Sequence, residues 1–525
     1  MPSETPDSSA VGGRYARYVL GVLIVVYIFN FIDRQILSIL AEEIKADLGL
    51  TDADIGFLYG TAFAVFYAVF GIPLGRLADL WVRRSLIGAG LAFWSLMTAL
   101  SGTARSFTGL ALYRFGVGIG EASATPAAFS MLSDLFPPTQ RATVLSIYSG
   151  GIYIGAGIGL FLGGLIVDGW SGAFAPGTEP LGLKGWQVAF FAVGLPGLLT
   201  ALWVRTLKEP VRGLSEGLVV DTHPAPFREA WESLCSVLPP LTLYSQWRHG
   251  GGRAVAANLV LAATVALGAT GLHLLVPSAI QWTALGIGVY AAGSWIQGQR
   301  RIDPMSYRLM FGSRSFVLVT LGFPVISFMT YGIGFWMPPY IVRHFAVPLS
   351  EAGTVLGLSA AVGGYLGITL GGLWADRWRR SNVNARLYIG VLVPVLTVPL
   401  IVGLLTTDSV VMAYGYNLLL SVTSTLWIGS AASTVTDLVL PQQRGTASAY
   451  YVLMNTFLGL ALGPFAIGQL SDRFARTGMA ADAALSSAML VSLSVLVVAI
   501  VALLLATRTL GADEASKTER AAAAS

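Results

Sequence analysis

Gly71-Ile72-Pro73-Leu74-Gly75-Arg76-Leu77-Ala78-Asp79-Leu80-Trp81-Val82-Arg83-Arg84 and Gly371-Gly372-Leu373-Trp374-Ala375-Asp376-Arg377-Trp378-Arg379-Arg380 are two versions of one turn. Asp79 and Asp376 are 297 residues apart, and each stretch follows an apolar run. The chain therefore reads as two related halves, each with a short basic turn between membrane-crossing helices.

A second echo supports the duplication. Asp134-Leu135-Phe136-Pro137-Pro138-Thr139-Gln140-Arg141 is matched by Asp437-Leu438-Val439-Leu440-Pro441-Gln442-Gln443-Arg444, at an offset of 303. A glycine-rich run follows each arginine. The first holds Gly150, Gly151, Gly155, Gly157, Gly159, Gly163 and Gly164 and ends near Asp168; the second holds Gly459, Gly463, Pro464 and Gly468 and ends at Asp472. Small residues at this spacing let two backbones approach closely. Two readings stand, plain helix packing and a gate that opens along that line.

Hydrophobic residues make up 54% of the 525 and charged residues 11%, with a mean hydropathy of +0.69. That balance excludes a soluble domain with a charged surface and points to membrane lipid as the main solvent. The net charge of +4 is small. Its basic residues gather at the ends of apolar runs, which suits membrane orientation and argues against nucleic acid. Cys235 is the single cysteine, so an internal disulfide or thiolate metal cage is ruled out. His223, His249, His273 and His344 show no metal-ligand spacing, and neither a metal nor a cofactor is expected. No GxxxxGK[ST] loop occurs, so any transport must draw on a gradient or on the substrate's own, and no nucleophile–base arrangement suggests an enzyme.

Apolar spans run over 17–38, 55–75, 86–103, 108–131, 143–166 and 186–206, then over 316–341, 352–374, 385–405, 409–437, 444–470 and 485–507. The expected fold is an all-α polytopic membrane protein: a tail (1–16), a six-helix bundle (17–206), a linker (207–315), a second six-helix bundle (316–507) and a disordered tail (508–525). The linker holds a helical hairpin at about 254–297, whose second arm is short enough to lie either across or along the membrane. Residues 227–238 form an amphipathic stretch that suits the inner membrane face. Basic residues follow the even-numbered spans, whereas the first loop on the opposite side holds Glu42, Glu43, Asp47, Asp52 and Asp54. Both termini are thus expected in the cytoplasm, in an inner (plasma) membrane protein.

These features together resemble the major facilitator superfamily of secondary transporters. Its hallmark loop, G-x-x-x-D-R/K-x-x-R/K-R/K, is carried here by Gly75, Asp79, Arg83 and Arg84, with a relaxed copy at Gly372, Asp376, Arg377, Arg379 and Arg380. Its fourth-span marker appears as Arg114-Phe115-Gly116-Val117-Gly118-Ile119-Gly120-Glu121. Asn30-Phe31-Ile32-Asp33-Arg34, Arg114 to Glu121 and Phe136-Pro137-Pro138 make the chain similar to the spinster-like branch, whose members are proton-linked or lipid-handling. The hairpin resembles the extra helical pair of bacterial peptide transporters, but the E-x-x-E-R signature of that group is missing from the first span. The resemblance implies alternating access, with Gly75, Asp79, Arg83, Arg84, Arg141, Asp376, Arg377, Arg380 and Arg444 in a cytoplasmic gate. In that gate an aspartate would bind a nearby arginine and the amino end of a facing helix.

Charges inside the spans carry the chemistry. Arg114 and Glu121 are seven residues apart and share a helix face, and helix rise puts Asp33 and Arg34 at a comparable depth. An unpaired charge there would cost several kcal/mol, so Asp33, Arg34, Arg114 and Glu121 should face one another or water, and an Asp33–Arg114 contact is plausible. Either the cluster is a structural ion pair, or Glu121, then Asp33, takes up and releases a proton as an arginine moves away and back. Asn30 belongs to the same charge network. The second half offers instead Tyr331, Asn417, Thr423, Trp427 and Asn455, a wall suited to an amphipathic ligand. The expected partners are membrane lipids, protons and an amphipathic, lipid-like or organic anionic substrate of a monomeric carrier. Drug efflux and, from another class, a lipid scramblase or non-transporting membrane protein are the competing readings.

Overall fold

The computed structural model describes residues 11–216 and 223–522; the first ten residues of the expected N-terminal tail, six linker positions and the last three residues lie outside that range. Among the described residues, eleven helices are long and apolar enough to cross a membrane, so the chain is an all-α multi-pass membrane protein.

The first half contributes α1 (Arg14–Ile39), α2 (Asp52–Leu80), α3 (Arg83–Ser101), α4 (Phe107–Glu121), α5 (Ala124–Leu135), α6 (Pro138–Ala173) and α7 (Gly185–Arg205). The linker holds α8 (Pro226–Val237), α9 (Leu241–Leu275) and α10 (Ala279–Ile302). The second half follows with α11 (Arg314–Phe345), α12 (Leu349–Arg379), α13 (Ala385–Thr406), α14 (Val410–Thr423), α15 (Ile428–Asp437), α16 (Pro441–Ala475) and α17 (Ala481–Ala506), then α18 (Leu510–Ala515) and α19 (Lys517–Ala522). Alternation of the spans puts both termini at one end of the molecule, called the termini end below; the loops around residues 40–51, 174–184, 346–348, 407–409 and 476–480 lie at the far end.

Two spans are broken at matching places. The fourth stops at Glu121 and resumes at Ala124; the tenth stops at Thr423 and resumes at Ile428. Hydroxyls at each break compete with the helical ladder: Ser123 donates to the carbonyl of Gly120 at 2.8 Å and Thr425 to those of Ser421 and Val422 at 3.3 and 3.2 Å. Discontinuities of this kind release main-chain polar groups at the depth where substrates and ions are handled.

Glycine allows the helices to touch backbone to backbone. A Cβ on Gly157 of α6 would lie 2.5 Å from the carbonyl oxygen of Gly357 in α12, and one on Gly56 of α2 would lie 2.5 Å from that of Pro464 in α16. These are first-half helices against second-half helices, whereas Gly155 and Gly159 pack on α1 and Gly459 and Gly463 on α11, so each glycine-rich run serves packing within its half as well as contact across the boundary.

In the linker, Asn258 of α9 donates to Ser294 and Gln297 of α10 at 2.7 and 2.9 Å, pinning the hairpin's arms together. The first arm starts earlier than expected, at Leu241, and bends at Gly251, whose φ of +60° favours glycine. The amphipathic α8 lies on the termini end of α2, with Phe227 and Trp81 ring centres 5.0 Å apart and Arg76 3.3 Å from Glu229. The tail differs from expectation. It is helical through Ala522, because Asp513 accepts from the Ser315 main chain and the Ser313 hydroxyl at 2.8 Å each, and Glu514 pairs with Arg379 at 2.7 Å.

Candidate functional site

Asn30, Asp33 and Arg34 share a face of α1, and Arg114 and Glu121 share one of α4; the fold turns these faces together. Arg34 Nε donates to Glu121 Oε2 at 2.6 Å, where the Glu121 side chain is fully buried. The Arg34 guanidinium also lies 4.4 Å from the Phe63 ring centre and 4.9 Å from those of Phe31 and Tyr67. A desolvated cation over an aromatic face gains up to about 2 kcal/mol, so three rings and one carboxylate hold this arginine away from water.

Arg114 meets Asp33, as the sequence suggested, but at the main chain. Arg114 Nη1 donates to the main-chain oxygen of Asp33 at 3.1 Å, and the Asp33 carboxylate faces Trp94 and Thr98 of α3 without a hydrogen bond of ordinary geometry. Glu121 Oε1, Asn30 Oδ1 and Arg114 Nε and Nη2 are likewise buried without such a bond, as are Trp94 Nε1 and Thr98 Oγ1. An unsatisfied buried polar atom costs about 1–3 kcal/mol, and a charged one more. The cluster therefore has spare bonding capacity that protonation or a shift of one helix would use.

In the second half, a cleft with room for about 110 Å³ is lined by Met329, Thr330, Asn417, Ser421 and Ser424, with Gln35 and Leu160 facing them from the first half. Its polar lining is amide and hydroxyl, without a charged residue. Of the expected wall, Asn417 lines it, and Trp427 donates to the carbonyl of neighbouring Ser424 at 2.9 Å. Tyr331 lies within electrostatic reach of Arg34. Asn455 instead accepts from Ser327, and Thr423 donates to the Leu419 carbonyl of its own helix at 3.0 Å, outside the cleft lining.

The expected gate residues divide by half. Arg83, fully buried, contacts Asp134 and lies 2.8 Å from Glu209. Glu209 also accepts from the main chain of Arg83 and Arg84 at the start of α3. Arg141 pairs with Glu216 at 2.5 Å. Arg212 caps α2 by donating to the carbonyls of Ala78 and Trp81 at 2.8 and 2.5 Å; burial and the nearby Arg83 pull its pKa below the ordinary guanidinium range. Asp79 has Arg212, Arg76 and Arg83 as its neighbouring cations. A Cβ on Gly75 would meet open space. In the second half Arg386 lies 2.5 Å from Asp437 and 3.3 Å from Asp376, while Arg377, Arg380 and Arg444 are exposed.

Sequence reasoning missed Arg386 as the counterpart of Arg83, although the 303-residue offset of the second echo leads from one to the other. Glu209 and Glu514, each just beyond the last span of its half, were also missed. At the far end Arg343 lies 2.6 Å from both Asp52 and Glu42, joining α11 to the first half. The acids there had been read only as markers of sidedness.

With this geometry in view, residues 23–464 match the Major Facilitator Superfamily. An MFS-type efflux pump of Mycolicibacterium smegmatis is 28% identical over 469 residues, covering 89% of this chain and 87% of that protein. Protein spinster homolog 1 of Homo sapiens is 26% identical over 482 residues, covering 87% of this chain and 73% of that protein. Among solved structures, a bacterial homologue of the human lysosomal transporter spinster, in an inward-facing and unoccupied conformation, superposes with a TM-score of 0.71 at 24% identity, covering 96% of this chain and 99% of that one.

Proposed function

This chain belongs to the major facilitator superfamily, and from that premise we propose a proton-coupled secondary transporter that moves an amphipathic, lipid-like or organic anionic substrate by alternating access. The observation that carries the coupling is the buried Arg34–Glu121 pair beside an Asp33 carboxylate that lacks a hydrogen bond of ordinary geometry. Proton uptake at Glu121 would release Arg34, and return of Arg34 would expel the proton. Asp33 is the second proton carrier, held near Arg114 through its main chain. Asn30 belongs to this network; Tyr331, Asn417 and Trp427 supply the wall for the substrate, with Thr423 and Asn455 in supporting places.

The proposed architecture is two six-helix bundles, 17–206 and 316–507, joined by the linker 207–315 with its hairpin, in a monomer of the inner (plasma) membrane with both termini in the cytoplasm. Gly75, Asp79, Arg83, Arg84, Arg141, Asp376, Arg377, Arg380 and Arg444 form the gate that closes the termini end. Multidrug efflux is the second reading, favoured by the uncharged lining of the cleft and by the similarity to the mycobacterial pump.

Thermal-shift screening against lysolipids, sphingoid compounds, drugs, sugars and peptides supplies the substrate for the test. Uptake into proteoliposomes under an imposed pH gradient then compares wild type with Glu121→Gln and Asp33→Asn. Loss of gradient-driven accumulation, with exchange retained in at least one variant, is the expected result. Full gradient dependence in both variants would sink proton coupling at this cluster. Accumulation indifferent to the gradient in wild type would favour the scramblase reading.

A further inference from the structure

Gly164-Leu165-Ile166-Val167-Asp168 at the end of α6 and Gly468-Gln469-Leu470-Ser471-Asp472 at the end of α16 are the same pattern, G-x-x-x-D, 304 residues apart. Both act across the boundary between the halves. Asp168 Oδ2 accepts from the main-chain N–H of Ser350, in the first turn of α12, at 2.7 Å. Asp472 accepts from the main-chain N–H groups of Asp52 and Ala53, in the first turn of α2, at 3.0 and 2.8 Å. Helix first-turn amides have no acceptor within their own helix and carry the positive end of its dipole, so a carboxylate there makes a strong, charge-assisted bond.

The glycine one turn earlier is what brings each aspartate close enough. A Cβ on Gly164 would lie 2.2 Å from the Leu349 carbonyl oxygen, and one on Gly468 would lie 2.4 Å from that of Asp52. Each pattern thus joins a backbone contact to a helix cap, and each binds a helix of the opposite half.

We propose that these two motifs are paired clasps that hold the far end shut, and that both must release when that end opens. The proposal rests on the alternating-access reading for its purpose but not for its test, which needs neither substrate nor gradient. The Asp472 clasp is the stronger, with two amides against one, and Arg343 reinforces it through Asp52.

The test uses spin labels at exposed Thr178 and Asp408, one in each half at the far end, in the full-length protein with Cys235→Ser. Pulsed electron resonance distances are compared in Asp168→Asn, Asp472→Asn, the matching alanine variants and the doubles. Asparagine keeps one acceptor oxygen and alanine keeps none, so the open population should rise roughly tenfold with each alanine, less with each asparagine, and further in the doubles. Asp472 variants should exceed Asp168 variants. Hydrogen exchange in wild type gives a reading independent of variant folding: the amides of Ser350, Asp52 and Ala53 should be protected, although helix first-turn amides normally exchange freely. An unchanged distance distribution in the folded double-alanine variant, or first-turn exchange as fast as at free helix ends, would overturn the clasp.

Discussion

The two ends of the molecule are held by different kinds of bond. At the far end, polar contacts cross between halves: Ser38 donates to the Phe335 carbonyl at 2.6 Å, and Arg343 grips Asp52 and Glu42. At the termini end, the contacts around Arg83 and Arg386 stay within one half or reach the linker or tail. The far end is therefore closed by bonds that must break for it to open. The termini end is braced within each half, so each half can move there as a unit. Ion pairs occur at both ends, and what differs is which half supplies the partner.

The largest expected effect comes from making far-end closure sterically impossible. Gly56→Val places side-chain atoms against the Pro464 backbone, and overpacking of this kind costs about 1–3 kcal/mol or more. Transport should fall at least a hundredfold and the far end should stay open by spin-label distance. The control is Gly75→Val at the termini end, where a Cβ meets open space. It should leave thermal stability unchanged in the open-termini state and impair only closure of that end; equal damage from both variants would erase the comparison.

A smaller contrast lies in the arginines. Arg343→Ala removes the partner that Asp52 and Glu42 share, but Lys45 stays 2.6 Å from Asp52, so the cost falls below the roughly 3–5 kcal/mol of a buried pair broken outright. Because the bond spans the halves, that loss should appear as a shift toward far-end opening. Arg386→Ala breaks a bond within one half. It should lower the unfolding temperature by several degrees and leave the distance distribution in place, as differential scanning fluorimetry and pulsed electron resonance would show.

The smallest effect concerns pH at the far end. Glu43 keeps an exposed side chain, yet partial desolvation by its surroundings, followed by the neighbouring Asp168 and Glu42, raises its pKa. The folded, closed end then binds that proton more tightly than the unfolded chain does, so its stability falls as pH rises above the ordinary glutamate value of about 4.3. Glu43→Gln should favour closure slightly at pH 7 and make no difference at pH 4, with water screening most of the shift at this exposed side chain. A penalty at pH 7 would reverse the sign of the argument.

The helical, membrane-spanning character was legible because period and length suffice for it, and every expected span contains a helix. The breaks at Glu121–Ala124 and Thr423–Ile428 were hidden, since hydroxyls that interrupt a ladder look like any other small residues in an apolar run. The Arg34–Glu121–Asp33–Arg114 cluster was legible as a set, because lipid excludes lone charges. Its pairing was not, since helix rotation decides whether Arg114 meets the Asp33 carboxylate or carbonyl. The bonds of Thr423 and Asn455 were hidden for a related reason: a hydroxyl or amide in a span has its own helix and its neighbours as competing partners. The ordered tail was unreadable from composition, because it depends on Ser313, Ser315 and Arg379, which lie far away in sequence.

The central claim is that proton binding at Glu121 is linked to exchange of the two ends. The direct measurement places one spin-label pair at Thr178 and Asp408 and a second at Thr139 and Gln442, exposed positions at the termini end, in wild type and Glu121→Gln. Glutamine mimics the protonated side chain and cannot form the ion pair with Arg34 that accompanies the closed far end. The account predicts that the far-end distance lengthens while the termini-end distance shortens. Unchanged distributions at both ends, or two distances that lengthen together, would contradict it.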